Sequence, residues 1–269
     1  MEYQRKIPAS VFILTKNSAG TIGRALESVR DFADIVVCDG GSSDATLEIA
    51  RAAGARIFRQ PDDCIERGAI KDFSCVRNEC LAHTVYDWVF YIDSDEIASD
   101  ALIQEIRAVV MNSSPLFLAY QVPSRICITE EPAREIAHSS SYPGYQIRFF
   151  NKKTGARFFK PVHERVRFDM ERFPVGTFAG PWFYFVKRDG SDYESDFPLY
   201  VGLALERYRG RSFQDRMAGA ARACITAGKI FIKALLQYGL YGFRHSIPPR
   251  IEYLRIKYQL LLARHILWP

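Results

Sequence analysis

Short apolar runs alternate with segments of helical period through residues 11–111, and this alternation restricts the fold more than any other feature. Residues 11–14 and 88–92 are unbroken apolar runs, which are typical of strands buried on both faces. The segments between such runs carry apolar residues at spacings of three and four, as amphipathic helices do. The pattern predicts βαβ units, and therefore an α/β fold with a mostly parallel sheet flanked by helices.

Polar side chains follow several of the predicted strands at the point where each strand ends. Thr15 and Asn17 follow the first strand, Asp39 follows the second, and Asp93 and Asp95 follow a later one. Because ligands of open parallel sheets bind outside the carboxyl ends of the strands, we expect these side chains to form one site. Asp93 and Asp95 are two positions apart, so one can bind a sugar hydroxyl while the other ligates a hard divalent cation. A solvated acidic turn is the alternative for this D-x-D sequence taken alone.

The segment DGGSSDAT after the second strand has two interpretations. Its glycines followed by Asp44 are typical of a turn that leads into an N-capped helix. Asp39 ends the strand before that turn, where its carboxylate can accept a hydrogen bond from a ring N–H of a nucleobase. The segment contains no G-x-x-x-x-G-K-[ST] sequence, and no G-x-G-x-x-G follows the first strand, which excludes a P-loop and a dinucleotide fingerprint there.

Composition and the cysteines narrow the class of protein further. With 48% hydrophobic and 25% charged residues the chain is typical of a globular protein, and its 17 glycines and 13 prolines follow no fibrous period. Residues 1–8 are polar and the apolar run after them is too short for a secretory signal, so we expect a cytosolic protein. Six cysteines without a C-x-x-C pair are predicted to be reduced and mostly structural.

Several segments, in order, resemble the nucleotide-sugar domain of glycosyltransferase family 2, whose members are inverting enzymes with the GT-A fold. They are VFILTKNSAGTIGRALESV, VVCDGGSSDAT, SCVRN and WVFYIDSDE. The later stretch YPGYQIRFFNKKTGARFFKPVHERV is similar to the subgroup that contains lipopolysaccharide-core glycosyltransferases. The resemblance covers roughly residues 8–170. It implies a Rossmann-like sheet of the GT-A type and transfer of a sugar from a nucleotide-diphosphate donor, most simply a UDP-sugar.

Carried over residue by residue, the resemblance assigns six donor contacts. Thr15 and Asn17 lie near the base of the nucleotide, and Asp39 lies on the ring of that base. Arg77 approaches the diphosphate or the donor sugar, and Asp93 contacts the ribose or the sugar. Arg148 of the Q-x-R stretch is a further substrate contact. Structural roles are the alternatives for these residues. Thr15 can simply end a strand, and Arg77 can be a solvated helix residue.

The resemblance also implies a metal ion and a catalytic base. Asp95 corresponds to the ligand of Mn2+ or Mg2+, and His163 is a second candidate ligand. Glu164 is positioned to take the proton of the acceptor hydroxyl, with Glu130, Glu131 and Glu135 as rival bases. A surface pair is the alternative for His163 and Glu164. Many relatives have a further histidine where this chain reads GPWFYFVKRDG, so a second histidine ligand is not expected.

The C-terminal part of the chain is strongly basic. Residues 200–269 contain 12 Lys and Arg but 3 Asp and Glu, whereas residues 1–199 contain 24 and 28. Arg250, Lys257 and Arg264 recur at intervals of seven, and an apolar helical face accompanies them. We expect this part to lie on an anionic membrane surface with Trp268 at the interface; a helix packed on the catalytic domain is the alternative. Nucleic acid is not expected as a partner, because no nucleic-acid-binding signature accompanies the charge.

Together these features predict a GT-A catalytic domain at 1–199, divided into a nucleotide-sugar half at 1–111 and an acceptor half at 112–199, and a basic amphipathic helical extension at 200–269. The predicted activity is metal-dependent, inverting transfer of a hexose to a saccharide or lipid-linked acceptor in cell-surface polysaccharide or lipopolysaccharide biosynthesis. The predicted location is the inner face of the cytoplasmic membrane. A sugar nucleotidyltransferase and a non-catalytic nucleotide-sugar-binding domain are the alternatives.

Overall fold

The chain forms two compact units. Unit 1 comprises residues 1–124 and 144–184, and unit 2 comprises residues 125–143 and 185–269. The sequence analysis divides the chain at residue 199 into a catalytic domain and a C-terminal extension. That division by function stays a prediction. The computed structural model describes residues 6–66, 69–129, 134–136, 138–140, 144–162, 164–187, 189–206 and 208–268.

Strands and helices alternate along the first half of the chain, and long helices follow near its end. The strands are β1 (Ile7–Thr15), β2 (Phe32–Asp39), β3 (Arg56–Arg59), β4 (Ile65–Glu66), β5 (Ala69–Ile70), β6 (Trp88–Asp93), β7 (Glu96–Ala98), β8 (Ala119–Thr129), β9 (Arg134–Ile136), β10 (Gly144–Asn151), β11 (Arg157–Phe159), β12 (Arg165–Arg167), β13 (Val175–Thr177) and β14 (Trp182–Lys187). The helices are α1 (Ile22–Ser28), α2 (Thr46–Ala52), α3 (Phe73–His83), α4 (Asp100–Met111), α5 (Ser191–Glu206), α6 (Phe213–Tyr241) and α7 (Pro249–Leu267).

The main sheet of unit 1 is parallel on one side and antiparallel on the other. Its order begins β3-β2-β1-β6, and these four strands are mutually parallel. β10 then pairs antiparallel with β6, and β8 pairs antiparallel with β10. The predicted α/β fold, a Rossmann-like sheet flanked by helices, is confirmed, and the strands after β6 make the complete sheet mixed.

The parallel strands are buried on both faces because apolar layers cover each face of the sheet. Val11 and Ile13 of β1 belong to a cluster that includes α1 and α4, whereas Phe12 and Leu14 belong to a second cluster that includes α3, β11 and β12. Alternate side chains of a strand point to opposite faces, so an unbroken apolar run fills both layers. The strand ends then carry the polar residues out of the core.

A buried carboxylate joins three parallel strands at the end of the sheet away from these polar strand ends. Asp34 of β2 accepts hydrogen bonds from Ser10 Oγ at 2.6 Å, Arg56 Nε at 2.9 Å and the Val85 backbone N–H at 3.1 Å. Both Ser10 and Asp34 are buried. The contacts link β1, β2 and β3 to the loop that follows α3, so several buried polar groups depend on one side chain.

Unit 2 is built around the last three helices. Ala220 and Ala223 of α6 pack with Ala263 and Ile266 of α7 in one small apolar cluster. The buried carboxylate of Glu252 in α7 accepts hydrogen bonds from the backbone N–H and the hydroxyl of Ser140, both at 2.8 Å. None of the described helices is long and apolar enough to span a bilayer.

The expected state of the cysteines needs correction. Cys38 is joined to Cys80 and Cys64 to Cys75 as disulfides, so the prediction of reduced cysteines is wrong for four of the six. The Cα atoms of the pairs are 6.1 and 5.7 Å apart, within the span of a disulfide, and the pairing is set by tertiary packing that sequence spacing does not reveal.

Asp34→Ala should lower the free energy of unfolding by roughly 2–4 kcal/mol, because it leaves Ser10 Oγ and the Val85 N–H without this acceptor. Asp62→Ala is the matched control: it removes the ion pair of Asp62 with Arg59, in which both side chains are exposed, and should change stability by less than about 1 kcal/mol. Urea unfolding of the two variants measures both values. Equal losses would show that the buried contacts of Asp34 contribute no more than a surface pair.

Candidate active site

The polar ends of β2, β1 and β6 lie side by side at one edge of the sheet. In the strand pairing Thr15 stands opposite Asp39, and Leu14 stands opposite Asp93. The loops beyond these strands are also in contact, since the hydroxyls of Ser18 and Ser94 are 2.9 Å apart. The structure therefore brings the strand-end residues of the sequence prediction into one region.

Asp39 organises the turn that follows it. Its Oδ2 accepts hydrogen bonds from the backbone N–H groups of Gly41 at 2.8 Å and Ser42 at 2.9 Å, and its Oδ1 accepts one from the Ser42 hydroxyl. Gly41 has φ of +85°, a left-handed conformation that glycine adopts without strain. A carboxylate has about four acceptor positions, so the predicted contact with a base is compatible with these bonds and stays a prediction.

Asn17 joins the loops after β1 and β2. Its side-chain oxygen accepts from the Ser43 N–H at 2.8 Å, and its own N–H donates to Ser42 Oγ at 2.8 Å. Thr15, in contrast, is buried and its hydroxyl has no hydrogen-bond partner. Because a buried hydroxyl without a partner is costly, Thr15 Oγ1 is a group that a bound ligand could satisfy.

Arg77 of α3 is buried between two carboxylates, with 5% of its surface exposed. Its Nη2 donates to Asp93 Oδ1 at 2.8 Å, and its Nε donates to Glu164 Oε1. Nη1 is buried and has no partner. The predicted donor-contact residue and the predicted base are therefore directly paired, and one edge of the guanidinium keeps unused hydrogen-bond donors.

The charges of this cluster reinforce one another. Burial alone lowers the pKa of Arg77, but Asp93 and Glu164 outweigh burial and raise it, so the guanidinium stays charged. Burial raises the pKa of Asp93, yet Arg77 and Arg148 outweigh that effect and hold the pKa below its usual value. Asp93 is consequently an ionised acceptor at neutral pH.

Arg148 and Glu96 form a second buried pair. Nη1 and Nη2 of Arg148 donate to the two carboxylate oxygens of Glu96 at 2.7 and 3.0 Å, and the guanidinium lies 3.9 Å from the ring centre of Trp182. Glu96 also accepts the Asp93 backbone N–H at 2.8 Å, so the pair fixes the turn that carries the acidic residues. Burial raises the pKa of Glu96 to about 7 although the charge of Arg148 opposes the shift. The predicted substrate contact of Arg148 stays a prediction.

A β-bulge places Arg148 in this position. In the pairing of β10 with β8, Ile147 stands opposite Gln121 and Phe149 stands opposite Tyr120, so Arg148 is an extra residue in its strand. Such bulges redirect side chains and are common next to active sites.

Asp95 lies at the solvent side of the same turn. Surrounding protein atoms and the negative charge of Asp93 raise its pKa, although the side chain reaches solvent. A bound cation would reverse this shift, because it favours the ionised carboxylate. Arg24 and Arg148 also act on Asp95 and oppose this rise. The carboxylate oxygens of the turn are ligands of the kind that a hard divalent cation prefers.

Several predicted residues lie elsewhere or outside the described residues. His163, Glu130 and Glu131 are outside the described residues, and Glu135 lies in β9, where its side chain is not described. Among the described residues the one group of three potential metal ligands is Asp63, Cys64 and Cys75, two of which form a disulfide. The predicted metal ligand Asp95 is in the described residues, whereas His163 is not, so the predicted pair of ligands stays a prediction.

Three residues of the site were not identified from the sequence. The ring centre of Tyr91 is 5.1 Å from the guanidinium of Arg77 and 4.8 Å from that of Arg148, and burial raises the pKa of Tyr91 to about 12. Glu96 stands beside the D-x-D sequence, and Gln60 follows β3 and donates from its side chain to the Cys38 carbonyl at 3.1 Å. The strand-end rule covers Gln60 and Glu96, but nothing local distinguishes Tyr91 from a core tyrosine.

Comparison with known proteins identifies the family. The family model named Glycosyl transferase family 2 matches residues 10–180. The chain belongs to glycosyl transferase family 2. This confirms the resemblance found in the sequence.

Each match with a curated relative covers less than half of that relative's length. An uncharacterized glycosyltransferase of Rickettsia typhi is 33% identical over 147 residues, which cover 54% of this chain and 46% of the relative. The lipopolysaccharide core biosynthesis glycosyltransferase LpsC of Rhizobium meliloti is 27% identical over 125 residues, which cover 45% of this chain and 43% of LpsC. The matches therefore span about half the length of these relatives.

Solved structures give weaker likenesses. Residues 1–349 of S. aureus TarS align with a TM-score of 0.45 and 13% identity, over 95% of this chain and 90% of that one. Glucosyl-3-phosphoglycerate synthase of Mycobacterium tuberculosis, crystallised with Mn2+, UDP and glucosyl-3-phosphoglycerate, aligns with a TM-score of 0.35 and 23% identity, over 46% of this chain and 44% of that one.

Arg148→Met should lower the free energy of unfolding by roughly 3–5 kcal/mol, because it leaves the Glu96 carboxylate buried without its cation. The double variant Arg148→Met/Glu96→Leu removes both charges and should recover at least half of that loss. Arg157→Met, at an exposed arginine of the same unit, is the control. Urea unfolding tests the three proteins, and equal losses for Arg148→Met and Arg157→Met would contradict the assignment.

Proposed function

We propose that the protein is an inverting glycosyltransferase that moves a hexose from a nucleoside-diphosphate sugar, with a UDP-sugar as the donor, to a saccharide or lipid-linked acceptor. The observation that carries the proposal is the buried guanidinium of Arg77 at the strand ends of a family 2 domain. Its Nη1 has no partner, and N–H groups of a buried arginine are strong donors to phosphate oxygens. A diphosphate bound there would satisfy the unused donors.

The nucleoside occupies the β1 and β2 end of the site in this proposal. Thr15 Oγ1 is buried without a partner, and Asp39 and Asn17 already hold the neighbouring turn in a fixed conformation. A rigid turn costs little to order when the base binds. We assign Asp39 to a ring N–H of the base and Asp93 to a ribose or sugar hydroxyl.

The donor set supports a divalent cation at the acidic turn. Asp95 would hold Mn2+ or Mg2+, and His163, the second candidate ligand, lies outside the described residues. When bound, this cation would neutralise charge on the diphosphate oxygens of the donor and of the departing nucleoside diphosphate. The carboxylates of the acidic turn are the reason for the assignment, since they repel an anionic donor unless a cation compensates them.

Glu164 is the residue we assign as the base. The acceptor hydroxyl oxygen forms the new bond to the anomeric carbon while the bond from that carbon to the diphosphate oxygen breaks, and the hydroxyl proton passes to Glu164. The contact with Arg77 uses Oε1, so Oε2 is the oxygen we assign to the proton. Arg77 then positions the base and the donor diphosphate through one guanidinium.

We place this activity in cell-surface polysaccharide or lipopolysaccharide biosynthesis, at the inner face of the cytoplasmic membrane. LpsC, a lipopolysaccharide core biosynthesis glycosyltransferase, is among the relatives, and the sequence resembles the same subgroup. The basic C-terminal part supports a membrane location, because it carries 12 Lys and Arg against 3 Asp and Glu over residues 200–269.

Asp95→Ala should abolish Mn2+-dependent binding of UDP and reduce sugar transfer at least 100-fold, because it removes a metal ligand that charge neutralisation requires. The raised pKa of Asp95 also predicts that Mn2+ affinity falls as the pH is lowered, starting above the pH expected for an ordinary aspartate. Asp100→Ala, at an exposed position of α4, is the control and should bind normally. Calorimetric titration of UDP with and without Mn2+ measures the effect. Normal turnover of Asp95→Ala in a chelator would refute the metal assignment.

Glu164→Gln should lower kcat by roughly 10²- to 10⁴-fold with little change in donor affinity, because the glutamine oxygen still accepts from Arg77 but cannot take the acceptor proton. Glu130→Gln, Glu131→Gln and Glu135→Gln test the rival bases. Steady-state kinetics and thermal melts of the four variants separate the assignments. A near-normal rate for Glu164→Gln beside a collapsed rate for one rival would move the base to that residue.

A further inference from the structure

The helix face expected to meet the membrane is used inside unit 2. Ile251 and Leu254 of α7 are buried, and the basic residues Arg250 and Lys257 both pair with Glu194 of α5, at 3.3 and 2.7 Å. These four residues of α7 are therefore used in packing within the protein. A membrane-facing surface of unit 2 has to be built mainly from other residues.

α6 exposes a continuous apolar face. Four small side chains bury its opposite face: Ala220, Ala223, Ala227 and Ala234. The exposed face carries large apolar side chains at helical spacing, of which Leu240 is 72% and Ile232 59% exposed: Met217, Ile225, Phe231, Ile232, Leu235, Leu236 and Leu240. Single exposed leucines are ordinary, but seven large apolar side chains along one helix form a patch of the kind that marks an interaction site.

An apolar groove extends this face toward α7. It has a volume of about 380 Å³ and is lined by Met217, Cys224, Leu260, Leu267 and Trp268, with smaller side chains and Arg264 completing the wall. Met217 and Cys224 are also on the exposed side of α6, so the groove and the apolar face form one surface. A groove of this composition suits an acyl chain better than a polar ligand.

Positive charge borders the apolar face along one side. Arg222, Lys229 and Lys233 are exposed and separated by seven and four residues, so they line one flank of α6. Residues 216–269 contain nine Lys and Arg and one acidic residue, Glu252, which is buried and pairs with Arg255. Arg250 and Lys257 pair with Glu194. The charge that borders the apolar face therefore comes from Arg222, Lys229 and Lys233. The surface combines apolar area with cations, as interfacial helices do.

We propose that α6 is a membrane-docking helix that lies on an anionic bilayer, with its apolar face at the boundary between headgroups and acyl chains. The stems of Lys229 and Lys233 can lie along the apolar layer while their ammonium groups reach lipid phosphates. A second copy of the chain fits less well, because docking two such faces brings cationic flanks of equal sign together. The inference rests on the proposed membrane location and identifies the surface responsible.

Flotation with phosphatidylglycerol-containing vesicles tests the apolar face. The wild-type chain should bind these vesicles. Leu236→Ser/Leu240→Ser should bind at least tenfold more weakly, because the substitutions remove apolar area that the bilayer would bury. Leu116→Ser/Met170→Ser is the matched control, since both side chains are exposed but belong to unit 1. It should bind as the wild type does.

A second pair of variants tests the charge. Lys229→Gln/Lys233→Gln should weaken binding to the same vesicles about 30-fold, the effect expected for two lysines near an anionic surface. Arg51→Gln/Lys153→Gln removes the same charge from exposed positions of unit 1 and should have little effect. Pure phosphatidylcholine vesicles and high salt should abolish the difference between the two variants.

The outcomes separate this inference from the proposals on which it rests. Wild-type chain that ignores anionic vesicles would overturn both the docking helix and the membrane location, whereas sugar transfer to a soluble acceptor would be unaffected. Vesicle binding that persists in both α6 variants would overturn the docking helix alone. A dimer in sedimentation velocity that the leucine variant dissociates, with unchanged vesicle binding, would assign the face to a second copy instead.

Discussion

The candidate site depends on one buried guanidinium shared by two carboxylates. Arg77 reaches the sheet from α3, Asp93 ends β6, and Glu164 lies 87 positions further along the chain than Arg77. Removing water from a guanidinium is expensive, so the residue can be buried only because both acids remain with it. The same requirement fixes three separate segments around one point, and their relative positions are set by charge as well as by apolar packing.

A tyrosine connects this group with the second buried arginine. The guanidiniums of Arg77 and Arg148 both lie about 5 Å from the centre of the Tyr91 ring, and the Tyr91 hydroxyl donates to the Ile147 carbonyl at 2.9 Å. Two cations repel each other, but the electron-rich face of an aromatic ring attracts both. The arrangement holds charged groups in place before any ligand arrives, and such fixed dipoles and charges contribute most when charge develops during a reaction.

The sequence predicted the parallel half of the sheet well because burial and helical period are local signals. The apolar runs at 11–14 and 88–92 lie within the buried strands β1 and β6. Contacts between distant residues left no such signal, which is why the Arg77 and Glu164 pair and the cysteine pairing were not foreseen. The periodicity of α6 and α7 indicated amphipathic helices, but which face packs inward is decided by the partner helix.

The extra residue of β10 has an evolutionary consequence. Because Ile147 and Phe149 pair with the adjacent residues Gln121 and Tyr120, the ladder is complete without Arg148. Loss of a single codon at this position would close the ladder without shifting any other pair. It would also leave the Glu96 carboxylate buried without its cation. Arg148 and Glu96 therefore have to be gained or lost together, while both apolar layers keep their side chains.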